Sequence, residues 1–197
     1  MFELLIASNN AHKIQEFQKM FLGYDVKIYS PKDLNIIVNP DETGLTYEEN
    51  SLIKAAALAK FTKMPIIADD SGLNVNALNG FPGIYSSRFA DSCGGNQNAN
   101  LELIKKLEPF DDKSAYFACV ITLINVEDKP VYFKGICPGK ILNSPEGIGG
   151  FGYDPIFYSD EAKMCFGLAS AEIKNKYSHR AKALALLLEY LKTNKLI

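Results

Sequence analysis

Residues 8–13, Ser-Asn-Asn-Ala-His-Lys, combine small polar side chains with one lysine at the start of a predicted helix. A helix start leaves backbone N–H groups unpaired and carries a partial positive charge, so an anion binds there readily. The small side chains let a phosphate approach, and Lys13 adds a full positive charge. The alternative is that Asn10 only caps the helix and Lys13 is solvated. The Gly-x-x-x-x-Gly-Lys pattern of a P-loop is absent.

Two acidic pairs, Asp41-Glu42 and Asp69-Asp70, offer the hard oxygen ligands that suit Mg²⁺ carried in on phosphates. The second pair follows four apolar residues, so we expect it at a strand end. Adjacent side chains of an extended segment point to opposite faces, so one aspartate should face the metal while the other braces the loop. The alternative is that these acids occupy turns and cap helices without a chemical role.

Residues 149–155, Gly-Gly-Phe-Gly-Tyr-Asp-Pro, combine backbone freedom with two aromatic rings and a carboxylate. A purine could stack on Phe151 or Tyr153, a contact worth about 1–3 kcal/mol in nucleic-acid systems. The alternative is a turn whose two aromatic residues belong to the core.

Ser178-His179-Arg180 opens the last predicted helix, and Lys174 stands just before it. Cationic side chains at a helix start violate the local preference for acids, and such violations concentrate at functional sites. The alternative is that Ser178 is the N-cap and the other side chains are solvated. A Ser-His-Asp triad is not attractive, because the other histidine is His12 in the phosphate-like segment.

Hydrophobic periodicity predicts the elements that position these residues. We expect strands over 2–8, 25–29, 65–68, 114–125 and 130–136, and helices over about 14–21, 46–60, 98–107 and 179–193, with a loop-rich stretch over 80–95. The four residues between the last two strands predict a hairpin rather than a crossover. The sheet should therefore be mixed, in an α/β fold. No repeat or linker divides the chain, so we expect a single domain over residues 1–197.

Composition limits the function classes. The chain has 197 residues, with 21 basic and 23 acidic side chains, a net charge of −2 and 47% hydrophobic residues. Such a chain forms a core without disulfides or metal. The charge balance argues against duplex DNA and anionic membranes as partners. Four widely spaced cysteines are expected to be reduced thiols that hold no zinc: Cys93, Cys119, Cys137 and Cys165. The N-terminal apolar run is too short for a signal peptide or membrane span, so we expect a cytoplasmic protein.

In order and spelling, these motifs resemble those of the inosine/xanthosine triphosphate pyrophosphatases. That family hydrolyses non-canonical purine nucleoside triphosphates (ITP, dITP and XTP) to the monophosphate and pyrophosphate. The matching segments are residues 8–13 with Glu16, 42–46 with Glu49-Asn50, 68–73, 81–86 with Arg88, 149–155 and 178–180. One departure is residues 165–168, Cys-Phe-Gly-Leu, where the family usually has a Phe-Ala-Glu-Leu-like segment.

The resemblance implies a role for each matching residue. Asp70 matches the family's general base and metal ligand, and Glu42 its other metal carboxylate. The triphosphate loop comprises Ser8, Asn10 and Lys13, with backbone N–H groups from Asn9, Ala11 and His12. Ser71 matches a substrate contact beside the catalytic aspartate. The segment that packs on the nucleoside is Phe151, Gly152, Tyr153 and Asp154, and the base-recognition group is Lys174, His179 and Arg180.

The resemblance also implies an elongated α/β fold with a central mixed β-sheet, flanking helices and two lobes around a nucleotide-binding cleft. It further implies Mg²⁺ as cofactor, a small nucleoside triphosphate as substrate and a homodimer. Three alternatives stay open at this point. The chain could be a pyrophosphatase for another modified nucleotide, such as a pyrimidine or a methylated base. It could also be a nucleotide-binding module without hydrolysis, or a structural protein with a degraded site.

Overall fold

The computed structural model describes all residues from 1 to 197, and its strands form one seven-stranded sheet with flanking helices. The strands are β1 (Phe2–Ile6), β2 (Val26–Tyr29), β3 (Ile66–Val75), β4 (Ser114–Ile124), β5 (Val131–Ile141), β6 (Phe157–Ser159) and β7 (Met164–Cys165). The helices are α1 (Ala11–Met20), α2 (Tyr47–Ala59), α3 (Ser86–Ser92), α4 (Asn96–Leu107), α5 (Ala171–Tyr177) and α6 (His179–Thr193).

The sheet is mixed, as predicted. Its strand order is β2-β1-β3-β4-β5-β6-β7. Strand β1 pairs in parallel with β2, Leu4 opposite Ile28, and with β3, Ile6 opposite Ile67. Strands β5, β6 and β7 pair antiparallel. The α/β class and the central mixed sheet are therefore confirmed.

The chain divides into two compact units. The first comprises residues 1–70, 119–134 and 183–197, and the second comprises residues 71–118 and 135–182. The prediction that residues 1–197 form a single domain stays a prediction. No helix combines the length and the apolar character that a membrane crossing needs, and all four cysteines are free thiols.

The first unit is held together by apolar faces that meet at the parallel strands. Phe17 of α1 and Phe21, directly after that helix, pack with Leu4 and Ile6 of β1. Residues of α6 such as Leu187 complete this core. Phe17 and Phe21 recur at helical spacing and so lie on one face of the chain there. Strand β1 is buried on both faces, because Leu5, between Leu4 and Ile6, packs in a separate cluster with residues of α2. This packing fixes the start of α1 beside the end of β1.

The second unit has its own apolar core. Leu103 and Leu107 of α4 pack with Phe157 of β6 and with Phe166. Helix α6 begins at His179, as predicted, and the Ser178 hydroxyl accepts a hydrogen bond from the Ala181 N–H at 3.2 Å. Ser178 is therefore an N-cap, as the alternative interpretation proposed. The rest of that alternative was wrong, because Lys174, His179 and Arg180 are buried rather than solvated.

Two expectations about elements were wrong. Strand β3 does not stop before the acids but continues through Asp69 and Asp70 to Val75, because lysines neutralise both carboxylates inside the unit. The stretch expected to be loop-rich contains α3, whose Ala90 is buried and whose Phe89 ring packs edge-on against Phe81 at 4.8 Å. Flanking glycines and a proline concealed this short amphipathic helix in the sequence.

Candidate active site

Adjacent aspartates of β3 form ion pairs with different lysines. The Asp69 Oδ2 atom lies 2.9 Å from Lys13 Nζ, and the Asp70 Oδ1 atom lies 2.8 Å from Lys54 Nζ. Both aspartates are buried, with 2% and 6% of their surface exposed. Alternation along an extended chain predicts this division, since neighbouring side chains point to opposite sides. Asp69 therefore anchors Lys13, and Asp70 takes part in a separate cluster.

Lys54 of α2 was missed by the sequence analysis. Its Nζ atom contacts Asp70 Oδ1 and also lies 3.5 Å from Glu42 Oε1, so it joins the two carboxylates assigned to the metal. The sequence carries one signal for this role. Lys54 follows Asn50 by one helical turn, so both polar side chains lie on the same side of α2.

Burial and charge set the protonation of this cluster. Burial raises the pKa of Asp70 above its ordinary value, although Lys54 and Lys13 oppose the shift. For Lys54, burial lowers the pKa, but attraction to Asp70, Asp69 and Glu42 outweighs burial and the net shift is upward. Lys54 is therefore an ammonium at neutral pH, and Asp70 is a more basic carboxylate than an ordinary aspartate.

The donor set fits a divalent cation that arrives with phosphates. The Asp70 Oδ2 atom is buried and has no hydrogen-bond partner, which is costly for a carboxylate oxygen unless a ligand completes it. Glu42 supplies a second, partly exposed carboxylate in the same cluster. No group of three or more His, Cys, Asp or Glu side chains is placed to hold a metal. Two carboxylates suit Mg²⁺, which keeps waters and uses substrate phosphates as further ligands.

The loop that carries Glu42 is fixed to the start of α2. The Gly44 N–H donates to Asn50 Oδ1 at 2.8 Å, and the Thr46 hydroxyl caps the helix by accepting from the Glu49 N–H at 3.1 Å. A side chain on Gly44 would place its Cβ 2.7 Å from Asn50 Oδ1, so only glycine fits this approach. Thr46 is therefore the N-cap of α2, and this helix lies within the range predicted for it, 46–60.

In the predicted triphosphate loop, backbone N–H groups are hydrogen-bonded to side chains of the loop itself. Asn10 Oδ1 accepts hydrogen bonds from the backbone N–H groups of His12 at 3.0 Å and Lys13 at 3.3 Å, and the Asn10 N–H donates to Ser8 Oγ at 3.2 Å. Asn10 is thus the N-cap of α1, as the alternative interpretation proposed, but Lys13 is not solvated as that alternative expected, because it pairs with Asp69. Residues 9–12 are exposed. The role of this loop in phosphate binding stays a prediction.

In the second unit, Asp154 organises the side chains predicted to meet the nucleoside. Its Oδ2 atom accepts from the Phe151 N–H at 2.7 Å and lies 2.7 Å from Lys174 Nζ. The Lys174 ammonium stands 4.7 Å from the centre of the Phe151 ring, and the Arg180 guanidinium 5.9 Å. Arg180 also donates to the Ser71 hydroxyl at 3.0 Å. Five of the predicted residues therefore form one contact network.

Three further predicted residues stand beside this network. Gly152 has a φ of +62°, in the left-handed region that favours glycine. The Tyr153 hydroxyl donates to the backbone carbonyl of Ser86 at 2.7 Å, so this ring belongs to the core. The His179 ring stacks on Phe117 with centres 4.7 Å apart. Of the two aromatic residues in the Gly-rich segment, Phe151 is the one that remains partly exposed.

The chain is similar to known proteins over nearly its whole length. The model of the Ham1 family matches residues 4–190. A Thermoanaerobacter pseudethanolicus protein named "dITP/XTP pyrophosphatase" is 44% identical over 191 residues, which cover 96% of each chain. A Leptospira interrogans protein with the same name is 42% identical over 193 residues, covering 97% of this chain and 98% of that one.

Solved structures agree with these relatives. The Staphylococcus aureus Ham1 protein superposes with a TM-score of 0.88 at 40% identity, covering 98% of this chain and 99% of that chain. A HAM1 protein from Coxiella burnetii gives a TM-score of 0.88 at 36% identity, covering 98% and 100% of the two chains. These similarities extend over nearly the whole length of both proteins.

We expect Lys54→Met to lower the free energy of unfolding by about 3 kcal/mol at pH 7, because it leaves the buried Asp70 carboxylate without its nearest cation. Adding Asp70→Asn to that variant should restore part of the loss, because the uncompensated charge is then removed. Urea denaturation followed by circular dichroism measures both changes.

The matched control is Lys106→Met, which removes an exposed partner of Glu102 one helical turn away. Exposed pairs of this kind contribute under about 0.5 kcal/mol. Equal destabilisation by the two lysine substitutions would contradict the buried role of Lys54.

Proposed function

The chain belongs to the Ham1 family, and we propose that it hydrolyses dITP, ITP and XTP to the nucleoside monophosphate and pyrophosphate. This reaction removes non-canonical purine nucleotides from the nucleotide pool. The observation that carries the proposal is the buried Asp70, whose Oδ2 atom has no partner, held beside Lys54 and Glu42 in a chain whose full-length relatives bear the name dITP/XTP pyrophosphatase.

Asp70 acts as the general base. Its unpartnered Oδ2 atom accepts a proton from the water that attacks the α-phosphorus, while the bond from that phosphorus to the bridging oxygen breaks and pyrophosphate leaves. Burial raises the pKa of Asp70, which makes the carboxylate a better proton acceptor than an exposed aspartate. Lys54 orients the carboxylate by binding its other oxygen at 2.8 Å.

Glu42 and Asp70 would hold Mg²⁺, which would supply the positive charge that stabilises the phosphates during displacement. The two carboxylates are of the hard, anionic type that this cation prefers. Lys54 balances their charge from the protein side, and Gly44 and Asn50 keep the Glu42 loop against α2.

The loop before α1 binds the triphosphate. A phosphate oxygen replaces Asn10 Oδ1 at the backbone N–H groups that Asn10 now caps, and Asn9, Ala11 and His12 contribute N–H groups to the cradle. Ser8 adds a hydroxyl, and Lys13 adds positive charge from its position on Asp69. This exchange keeps the N–H groups of His12 and Lys13 hydrogen-bonded in both states.

The network around Asp154 binds the nucleoside. The Phe151 ring offers a stacking face, and Gly152 and Tyr153 keep that ring in place. The group of Lys174, His179 and Arg180 donates hydrogen bonds to the base, with Ser71 beside Arg180. A 6-oxo group accepts such bonds, whereas the 6-amino group of adenine is itself a donor. An unpaired buried donor costs about 1–3 kcal/mol, so adenine nucleotides are disfavoured.

We propose three further properties in line with the family. The enzyme acts in the cytoplasm on small nucleotides, and the net charge of −2 supports the absence of nucleic acid as a partner. It works as a homodimer, a proposal supported by the exposed Tyr85 ring with the Arg88 guanidinium 4.5 Å from its centre. Tyrosine and arginine are enriched at such interfaces.

Substrate preference tests the proposed function as a whole. Pyrophosphate release from ITP, dITP, XTP, GTP and ATP, with and without Mg²⁺, should give a kcat/KM for ITP at least about tenfold above that for ATP, the effect of one lost hydrogen bond. Equal values for ITP and ATP would remove the base-reading role. A higher kcat/KM for a modified pyrimidine nucleotide than for ITP would show instead a pyrophosphatase for that nucleotide.

Asp70→Asn should abolish turnover while the fold persists, because the amide cannot accept the proton of the attacking water. Steady-state pyrophosphate release and circular dichroism measure the two properties. A near-normal rate for this variant at saturating Mg²⁺ would exclude Asp70 as the base.

Glu42→Gln should raise the Mg²⁺ concentration needed for half-maximal rate by about tenfold, since one anionic ligand is lost. The neighbouring Asp41→Asn is the matched control, because Asp41 is exposed, and it should leave the Mg²⁺ requirement unchanged. Calorimetric titration of the protein with Mn²⁺ checks the same difference without turnover. The same Mg²⁺ requirement for both variants would contradict the role of Glu42.

A further inference from the structure

Residues 149–155 form a tight turn that presents the Phe151 ring. On one side, Asp154 holds the turn through the Phe151 N–H and Lys174. Gly150 comes so close to Asp154 that a Cβ on Gly150 would lie 2.1 Å from Asp154 Oδ2. These contacts fix the backbone before the ring but leave the Gly152 carbonyl, directly after it, to be held by another group.

That group is Asn100 of α4. Its Nδ2 atom donates to the Gly152 carbonyl oxygen at 3.2 Å across 52 residues of sequence. Asn100 is 3% exposed and stands on the buried face of α4, where Leu103 and Leu107 belong to the apolar core. A single amide on this apolar face is thus directed at the turn that carries Phe151.

The oxygen of the same amide does not stabilise the core. Asn100 Oδ1 is buried and has no hydrogen-bond partner. A buried polar atom without a partner destabilises a fold, and a leucine of similar size would fill this position at lower cost. The hydrogen bond to Gly152 is therefore the property that distinguishes asparagine from an apolar residue at position 100.

We propose that Asn100 is a positioning residue for base recognition, an inference that rests on the proposed function. By holding the Gly152 carbonyl, Asn100 restrains the turn so that the Phe151 ring stays beside Lys174 and Arg180. Asn100 contributes to the binding of the nucleoside and not to the binding of the phosphate groups.

The test compares Asn100→Leu with Asn98→Leu. Asn98 is exposed on the same helix, and its amide also donates to a backbone carbonyl, that of Cys93 at 3.0 Å. Asn100→Leu should raise KM for ITP about fivefold to tenfold, the effect of one lost hydrogen bond, with a smaller change in kcat. Its Tm should stay equal to or above that of the wild type, because a buried unpaired oxygen is removed.

Binding measured without turnover separates the base from the phosphates. In the Asp70→Asn background, Asn100→Leu should weaken ITP binding by the same factor in calorimetry and leave the affinity for inorganic triphosphate unchanged. Asn98→Leu should change neither affinity. Asn100→Ala serves the same comparison if the leucine variant does not fold.

Three results would overturn the proposal: an unchanged KM and Kd for ITP, equal loss of affinity for ITP and for inorganic triphosphate, or an equal effect of Asn98→Leu. Failure of the proposed function looks different, because the wild-type protein would then release no pyrophosphate from ITP.

Discussion

Two carboxylates that are adjacent in one buried strand require two cations, and the first unit is arranged around this requirement. Asp69 and Asp70 leave β3 in different directions, so one lysine cannot serve both. Lys13 reaches Asp69 from α1, and Lys54 reaches Asp70 from α2. Because an uncompensated buried charge is so costly, each helix is fixed to the strand by a specific ion pair as well as by apolar packing. The ion pair between Lys54 and Asp70 therefore both compensates the Asp70 charge and fixes α2 to β3.

In the second unit, a buried carboxylate paired with a lysine holds the turn that carries Phe151. Asp154 is buried, and it accepts hydrogen bonds from its own loop and from Lys174, so one carboxylate both shapes the backbone and holds a cation beside the Phe151 ring. Arg180 reaches the same ring and the Ser71 hydroxyl. The net charge of the chain is only −2 because such pairs cancel, while local charge stays concentrated at both clusters.

Local patterns predicted much of this arrangement. Helical periodicity identified the bounds of α6, and the short connection between β4 and β5 indicated a mixed sheet. What failed were features that depend on contacts distant in sequence. Lys54 lies sixteen residues before Asp70, and no local pattern links them. The continuation of β3 through two aspartates contradicts strand propensity, and only the lysines from other elements explain it. The Asn10 cap was anticipated as an alternative, because its cause is local.

The position of Lys54 affects whether folding depends on a bound metal ion. The ammonium between Glu42 and Asp70 supplies, from the chain itself, charge that small metallodomains obtain only from their ion. In those domains loading and folding are one event, and a chelator unfolds them. Here Lys54 compensates the buried Asp70 carboxylate from within the chain, so the native structure does not depend on a bound cation for that charge balance.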